Sequence, residues 1–143
     1  MFSQFFTRVY KKLSFEDIQF AIRNRGEFVI INTLPVTDQS CLIENTITHV
    51  EEEQILNNLL TNYGLNQKII VYGRNNTDNT INTKYDQLMN LGFQTVYLYV
   101  GGMFEWLCLQ DIYGNEEFPT TTRELDILKY KSPRTFGGYL LTR

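Results

Sequence analysis

The sequence predicts an α/β fold, a three-layer doubly wound parallel sheet of about five strands with helices on both faces. Three observations predict it. Apolar runs at 27–32, 68–72 and 95–100 are continuous rather than alternating, the pattern of strands covered on both faces. Between them lie segments whose apolar residues recur at helical spacing and stop at glycine. Strand and helix therefore alternate along the chain, which specifies parallel strands joined by right-handed crossovers.

In chain order, Thr7-Arg8-Val9-Tyr10 reads as a first short strand. Residues 1–14 also carry Arg and Lys without an acid, the composition of a mitochondrial presequence, but the strand reading is preferred. Ser14 caps a helix over Phe15 to Asn24, with Asp17 completing a capping-box pattern and Phe15, Ile18, Ala21 and Ile22 on one face. Gly26 stops it, and Glu27 to Asn32 is the next strand, bounded by Pro35. A short strand is expected around Thr46-Ile47-Thr48. Glu51-Glu52-Glu53 then open a helix with Ile55, Leu56, Leu59 and Leu60 on its apolar face, the acids suiting its positive start and Gly64 its end.

Lys68 to Tyr72 forms the following strand, and a loop runs from it through Asn79. The helix carrying Tyr85, Leu88, Met89 and Leu91 ends at Gly92. Thr95 to Val100 is the last strand, entering Gly101-Gly102 and a helix from Phe104 to about Tyr113. A short helix is expected at Arg123 to Lys129. The chain is read as one domain over 1–131 with a tail over 132–143, ending in Phe136, Tyr139, Leu140 and Leu141.

Composition narrows the function classes. The chain has 143 residues, 43% apolar and 20% charged, enough for one core that buries roughly two thirds of the extended surface. A net charge of −3 leaves no clustered basic excess, so nucleic acid is not an expected partner. No apolar run approaches the ~20 residues of a membrane span. Cys41 and Cys108 sit in apolar contexts and read first as small buried hydrophobes of a reducing compartment, pointing to the cytoplasm. The single His49 assembles neither a catalytic triad nor a zinc site, and three consecutive acids on a helix cannot face one ion, so no metal or cofactor is expected. Dinucleotide and Walker patterns are absent.

The informative segment is Ile69-Ile70-Val71-Tyr72-Gly73-Arg74-Asn75-Asn76-Thr77-Asp78, a buried-type strand opening into a polar loop before a helix. An α/β protein places chemistry there because helix N–H groups converge on an anion. Further on, Gly101-Gly102-Met103-Phe104-Glu105-Trp106 follows a strand that ends a βαβ run. This G-G-x-x-x-W segment and the element order from Thr7 to Pro119 resemble the rhodanese domain. The run from Gly101 to Gly114 is similar to a divergent rhodanese-like group of protists and of large DNA viruses that infect them.

Family members that transfer sulfur carry a cysteine directly after the strand, in a loop of form C-x-x-G-x-R. The resemblance puts Gly73 where the cysteine belongs, Asn76 where the loop glycine belongs and Asp78 where the arginine belongs. Gly73 has no side chain to form a persulfide. Asn76 tolerates the left-handed backbone the loop requires. Asp78 brings a like charge to an anion cradle, opposing an anion by roughly 1 to 4 kcal/mol. Arg74 is expected to pair with Asp78 or to be solvated. The longer phosphatase loop would need arginine at position 79, where Asn79 stands. The family's D-x-R reads Asn32-Thr33-Leu34, and its G-H-I-P-G-A segment reads Cys41 to Thr46 without the histidine. The resemblance thus implies a sulfurtransferase-family member with no catalytic residue in place, acting as a protein-binding or structural module in a larger assembly. Two alternatives remain: residual sulfur transfer through Cys41, the better candidate for exposure, or Cys108; and a small-anion sensor that uses the loop as a backbone nest. Trp106, Phe104, Phe118 and Tyr113 are expected to pack as core rather than form a ligand pocket.

Overall fold

The structure, a computed structural model, describes residues 9–137. In chain order it contains β1 (Lys12–Leu13), α1 (Phe15–Arg23), β2 (Phe28–Asn32), α2 (His49–Thr61), β3 (Lys68–Tyr72), α3 (Thr80–Leu91), β4 (Thr95–Tyr99) and α4 (Gly102–Tyr113). The strands form one all-parallel sheet in the order β1-β4-β3-β2. Alternation along β3 explains its unbroken apolar sequence. Ile70 and Tyr72 enter the core beneath α1 and α4, with Ile18, Trp106 and Leu107, while Ile69 and Val71 enter the core beneath α2 and α3, with Leu56, Tyr85 and Leu88. Each face is sealed by helices, so an apolar residue is required at every position from Ile69 to Tyr72, while Lys68 lies exposed at the strand's start.

Local signals set the helix ends. The backbone N–H of Ser14 donates to Asp17 at 2.9 Å and opens α1. Thr48 accepts the N–H of Glu51 at 3.2 Å, while the Glu51 carboxylate takes the Thr48 N–H at 3.2 Å, and α2 begins at His49 rather than at the acidic triplet. Gly92, at φ 111°, ends α3 in the left-handed conformation.

Three expected elements differ. The strand foreseen at Thr46-Ile47-Thr48 is a single parallel bridge between Thr46 and Ile30, with the Ile47 N–H donating to Ile30 at 3.0 Å. Thr48 is already the cap of α2, so the chain leaves the sheet edge after two residues, and four strands are present among the described residues. Among the described residues the first strand is Lys12–Leu13, paired with Leu98 and Tyr99. Val9 and Tyr10 lie outside it, with Tyr10 turned onto Tyr85 at 4.9 Å and hydrogen-bonded to Asp86; Thr7 and Arg8 lie outside the described residues. The helix foreseen at Arg123 to Lys129 is a short 3-10 turn, Ile127–Tyr130. There the Glu124 carboxylate accepts the Asp126 N–H at 3.1 Å and the Lys129 ammonium at 3.0 Å, a compact side-chain turn that competes with helix.

Of the aromatic residues expected in the core, Trp106 and Phe118 are buried and Phe104 packs against them, whereas Tyr113, the last residue of α4, is 64% exposed and its ring centre lies 6.1 Å from that of Phe118. Trp106 has no exposure; its ring meets Phe118 at 5.0 Å and Tyr99 at 6.2 Å, and its Nε1–H donates to Pro119 at 3.1 Å. The buried Tyr72 hydroxyl accepts the Ile43 N–H at 3.1 Å and lies 2.8 Å from Thr46 Oγ1. Burial raises its pKa well above the ordinary phenol value.

Candidate functional site

The carboxyl ends of β2 and β3 are neighbours in the sheet, and the loops leaving them meet. The Thr33 N–H donates to the Tyr72 carbonyl at 3.0 Å, holding the two exits together. The 73–79 loop then crosses the sheet end before α3 begins at Thr80. Beside it lies an open cleft of about 390 Å³, lined by Thr33, Pro35, Asp78, Thr80, Lys131 and Pro133 among others.

Asp78 fills the centre of this loop. One carboxylate oxygen accepts the Arg74 N–H at 2.9 Å, and the other accepts the Thr80 N–H at 3.0 Å and the Thr80 hydroxyl at 2.6 Å. Partial burial opposes its charge, but the Thr80 hydroxyl, the Arg74 and Thr80 N–H groups and the Arg74 guanidinium outweigh that, and the carboxyl titrates below its ordinary range. The negative group also sits at the positive start of α3. A Cβ placed on Gly73 would overlap this carboxylate, with Asp78 Cγ at 3.0 Å and Thr33 Oγ1 at 2.9 Å. The loop thus carries its own anion.

The second anion-binding element is also occupied. Gly102 lies at φ +66°, and a Cβ there would meet the Gly73 carbonyl oxygen at 2.7 Å and Asn75 N at 3.0 Å. Only glycine permits this approach, which brings the first N–H groups of α4 onto the loop: Met103 donates to the Gly73 carbonyl at 3.0 Å and Phe104 to the Arg74 carbonyl at 2.9 Å. Gly101 and Gly102 are therefore the strand-to-helix turn expected of them, with α4 starting two residues before Phe104.

Arg74 does not pair with Asp78 through its side chain, nor is it merely solvated. Its guanidinium reaches Asp38, donates to the Lys129 carbonyl at 2.9 Å and lies 5.5 Å from the centre of the Tyr130 ring. Asn75 is buried; its Nδ2 donates to the Tyr130 carbonyl at 2.9 Å and its Oδ1 accepts the Thr77 N–H at 3.0 Å. Ser132 Oγ donates to Asn76 Oδ1 at 3.0 Å. The 129–132 segment is thereby strapped across the loop. Asn76 does not use the left-handed conformation foreseen for it; among the described non-glycine residues Asn45 and Tyr63 do. The strap positions Asn76 through its side chain instead.

Cys41 is buried as its apolar context predicts, and the order of exposure expected for the two cysteines is reversed. Cys41, foreseen as the better candidate for exposure, donates from Sγ to the Thr122 carbonyl at 3.3 Å. Cys108 on α4 is the half-exposed one, and burial, Asp111 and Glu105 together push its thiol up. Neither lines the cleft beside the loop. His49 is the first residue of α2, and among the described residues no group of three His, Cys, Asp or Glu side chains converges on one point. Sequence reasoning missed Thr33, Asp38, Tyr130 and Ser132. Proximity of the β2 and β3 exits in a parallel sheet was a signal for the first two; no local signal marked the strap.

The rhodanese-like domain model matches residues 23–108. The chain belongs to the rhodanese-like domain family. Among solved structures, this rhodanese-like domain is similar to the rhodanese-like domain of an Anabaena protein (TM-score 0.55, 16% identity, 89% of this chain and 87% of the other). A Lactobacillus plantarum protein aligns with TM-score 0.54 at 16% identity over 78% of this chain and 88% of its own. A thiosulfate sulfurtransferase from Pseudomonas aeruginosa aligns with TM-score 0.53 at 22% identity over 69% of this chain, which spans 19% of that longer protein. At these identities the likeness is one of fold. No curated protein matches the sequence at a significant level. Among the described residues, no helix is long and apolar enough to cross a membrane.

Proposed function

We propose that this rhodanese-like domain does not transfer sulfur and serves as a cytoplasmic protein-binding or structural module, with 73–78 a degenerate active-site loop. The observation that carries the reading is the Asp78 carboxylate beside Gly73, in the space where a side chain at position 73 would begin. A sulfurtransferase needs a thiolate with donors free to hold an oxyanion. Here position 73 has no thiol, the Arg74 and Thr80 N–H groups serve Asp78, and the first N–H groups of α4 serve loop carbonyls. The same observation weighs against an anion sensor, since an incoming sulfate would have to displace a bonded carboxylate. The placement of Cys41 and Cys108 weighs against residual transfer through either.

A binding role is supported by apolar side chains exposed along the strap and its continuation: Leu125 and Leu128 project at 76% and 66% exposure, and Phe136 at 91%. Phe2, Phe5, Phe6, Tyr139, Leu140 and Leu141, which carried this expectation in the sequence, lie outside the described residues. A thiosulfate:cyanide assay on the full chain and on Cys41→Ser and Cys108→Ser tests the first half: background turnover is expected, and turnover lost with either cysteine overturns the reading. Pull-down with and without residues 132–143, with thermal unfolding of both forms, tests the second. Loss of co-purifying protein is expected, with stability lowered by no more than about 1 kcal/mol, the worth of the Ser132–Asn76 hydrogen bond; unchanged retention removes the docking role of that end.

A further inference from the structure

We propose that Ser132 is a phosphorylation site for a proline-directed serine/threonine kinase, and that its phosphate lifts the strap off the 73–78 loop. Ser132-Pro133 is the one Ser/Thr-Pro pair in the chain. It lies just past the Ile127–Tyr130 turn, where Lys131 is extended at φ −65°, ψ 157° and the following residues have no regular structure. Proline holds the residue before it extended, the form in which a kinase cleft takes its substrate segment. Lys131, Pro133 and Arg134 are exposed around a half-buried Ser132.

The hydroxyl has a defined task. Ser132 Oγ donates to Asn76 Oδ1 at 3.0 Å and lies 3.5 Å from Thr77 Oγ1, whose own proton goes to Asn75 Oδ1 at 2.7 Å. The other anchors of the strap are its own carbonyls of Lys129 and Tyr130, held by Arg74 and Asn75. In the transfer, Ser132 Oγ bonds to the γ-phosphorus of ATP, the bond from that phosphorus to the β–γ bridging oxygen breaks, ADP leaves, and the hydroxyl proton passes to the kinase base.

The product has lost the donor that faced Asn76 and gained a charge of about −1.5 to −2. It then confronts the acceptor oxygen of Asn76 in a cleft whose wall carries the Asp78 carboxylate. Several of the cationic and N–H groups nearby are already engaged. Arg74 is neutralised by Asp38, the Thr80 N–H is held by Asp78, and the leading N–H groups of α4 are held by loop carbonyls. Lys131 and Arg134 belong to the strap itself and leave with it. Release uncovers Asn76, Thr77 and the cleft edge. Use of that face by a partner rests on the module reading above; the modification and the release do not.

The test uses the full chain with Mg-ATP and a purified mitogen-activated protein kinase, and separately a cyclin-dependent kinase, followed by peptide mass mapping and hydrogen exchange. Phosphate on Ser132 that is lost in Ser132→Ala, with amides of 74–77 exchanging about tenfold faster in the phosphorylated form, is expected from the loss of one or two anchoring hydrogen bonds. No phosphate on Ser132 from either kinase overturns the site. Phosphate there with unchanged exchange overturns the release. Neither readout involves sulfur transfer, so failure here is distinct from failure of the module reading.

Discussion

On the proposed reading, replacing Gly73 with cysteine supplies a thiol at the degenerate loop, and the structure predicts a destabilised protein. The backbone is not the obstacle, since Gly73 is not among the glycines at positive φ. The obstacle is space: the new Cβ overlaps the Asp78 carboxylate and comes within 2.9 Å of Thr33 Oγ1. Forcing atoms into a packed site costs about 1–3 kcal/mol. Moving the carboxylate aside loses part of its bonding to the Arg74 and Thr80 N–H groups and the Thr80 hydroxyl, about 1–2 kcal/mol more after allowing for solvent screening of a partly exposed group. The sum of about 2–5 kcal/mol corresponds to a Tm lower by about 6–15 °C for a domain of this size. Urea and thermal unfolding of Gly73→Cys, Asp78→Ala and the double variant measure it. In the double variant the overlap is gone, so the two changes together should destabilise less than their sum by about 1–2 kcal/mol. A single Gly73→Cys variant as stable as the parent, or one that turns over thiosulfate, would refute the argument that Asp78 occupies the nucleophile's place.

Three further outcomes follow from the same geometry. Asp78 is held below its ordinary carboxyl range in the folded chain, so it adds stability above about pH 4, the unfolded value, that fades as pH falls through the lower folded value. Asp78→Asn should be less stable than the parent at pH 7, with the gap narrowing toward pH 3 in urea titrations; a gap constant with pH contradicts it. Gly102→Ala should lose about 2–4 kcal/mol, since it combines φ +66° with a Cβ 2.7 Å from the Gly73 carbonyl oxygen; a change under ~0.5 kcal/mol in urea unfolding contradicts the close approach. Toward a disulfide reagent at pH 8, native Cys41 should be silent and Cys108 slower than a free thiol, both reacting fully in urea; a fast native thiol would reopen residual sulfur transfer.

Much of the architecture was legible in the chain because it is written in local periodicity. The unbroken apolar stretch at 68–72 announced a strand buried on both faces, and Gly92 announced the end of a helix, each from forces acting within a few residues. The absence of a side chain at Gly73 and the tight turn at Gly101-Gly102 were equally plain, since both are properties of residue type. The edge elements were not legible: Thr46 to Thr48 has strand-like composition, yet the capping box formed by Thr48 and Glu51 ends the pairing after one bridge.

What only the tertiary structure decided is how the loop's charges are spent. Sequence spacing set Arg74 and Asp78 four residues apart and invited pairing, but packing of the β2 exit brought Asp38 to the guanidinium and left Asp78 to the backbone N–H groups. The strap over the loop joins positions 74–77 to 129–132, a separation of about fifty residues that no periodic pattern encodes. Residue type determined that position 73 carries no side chain; long-range packing determined that a carboxylate lies beside it, because a carboxylate comes to rest where folding gathers donors around it.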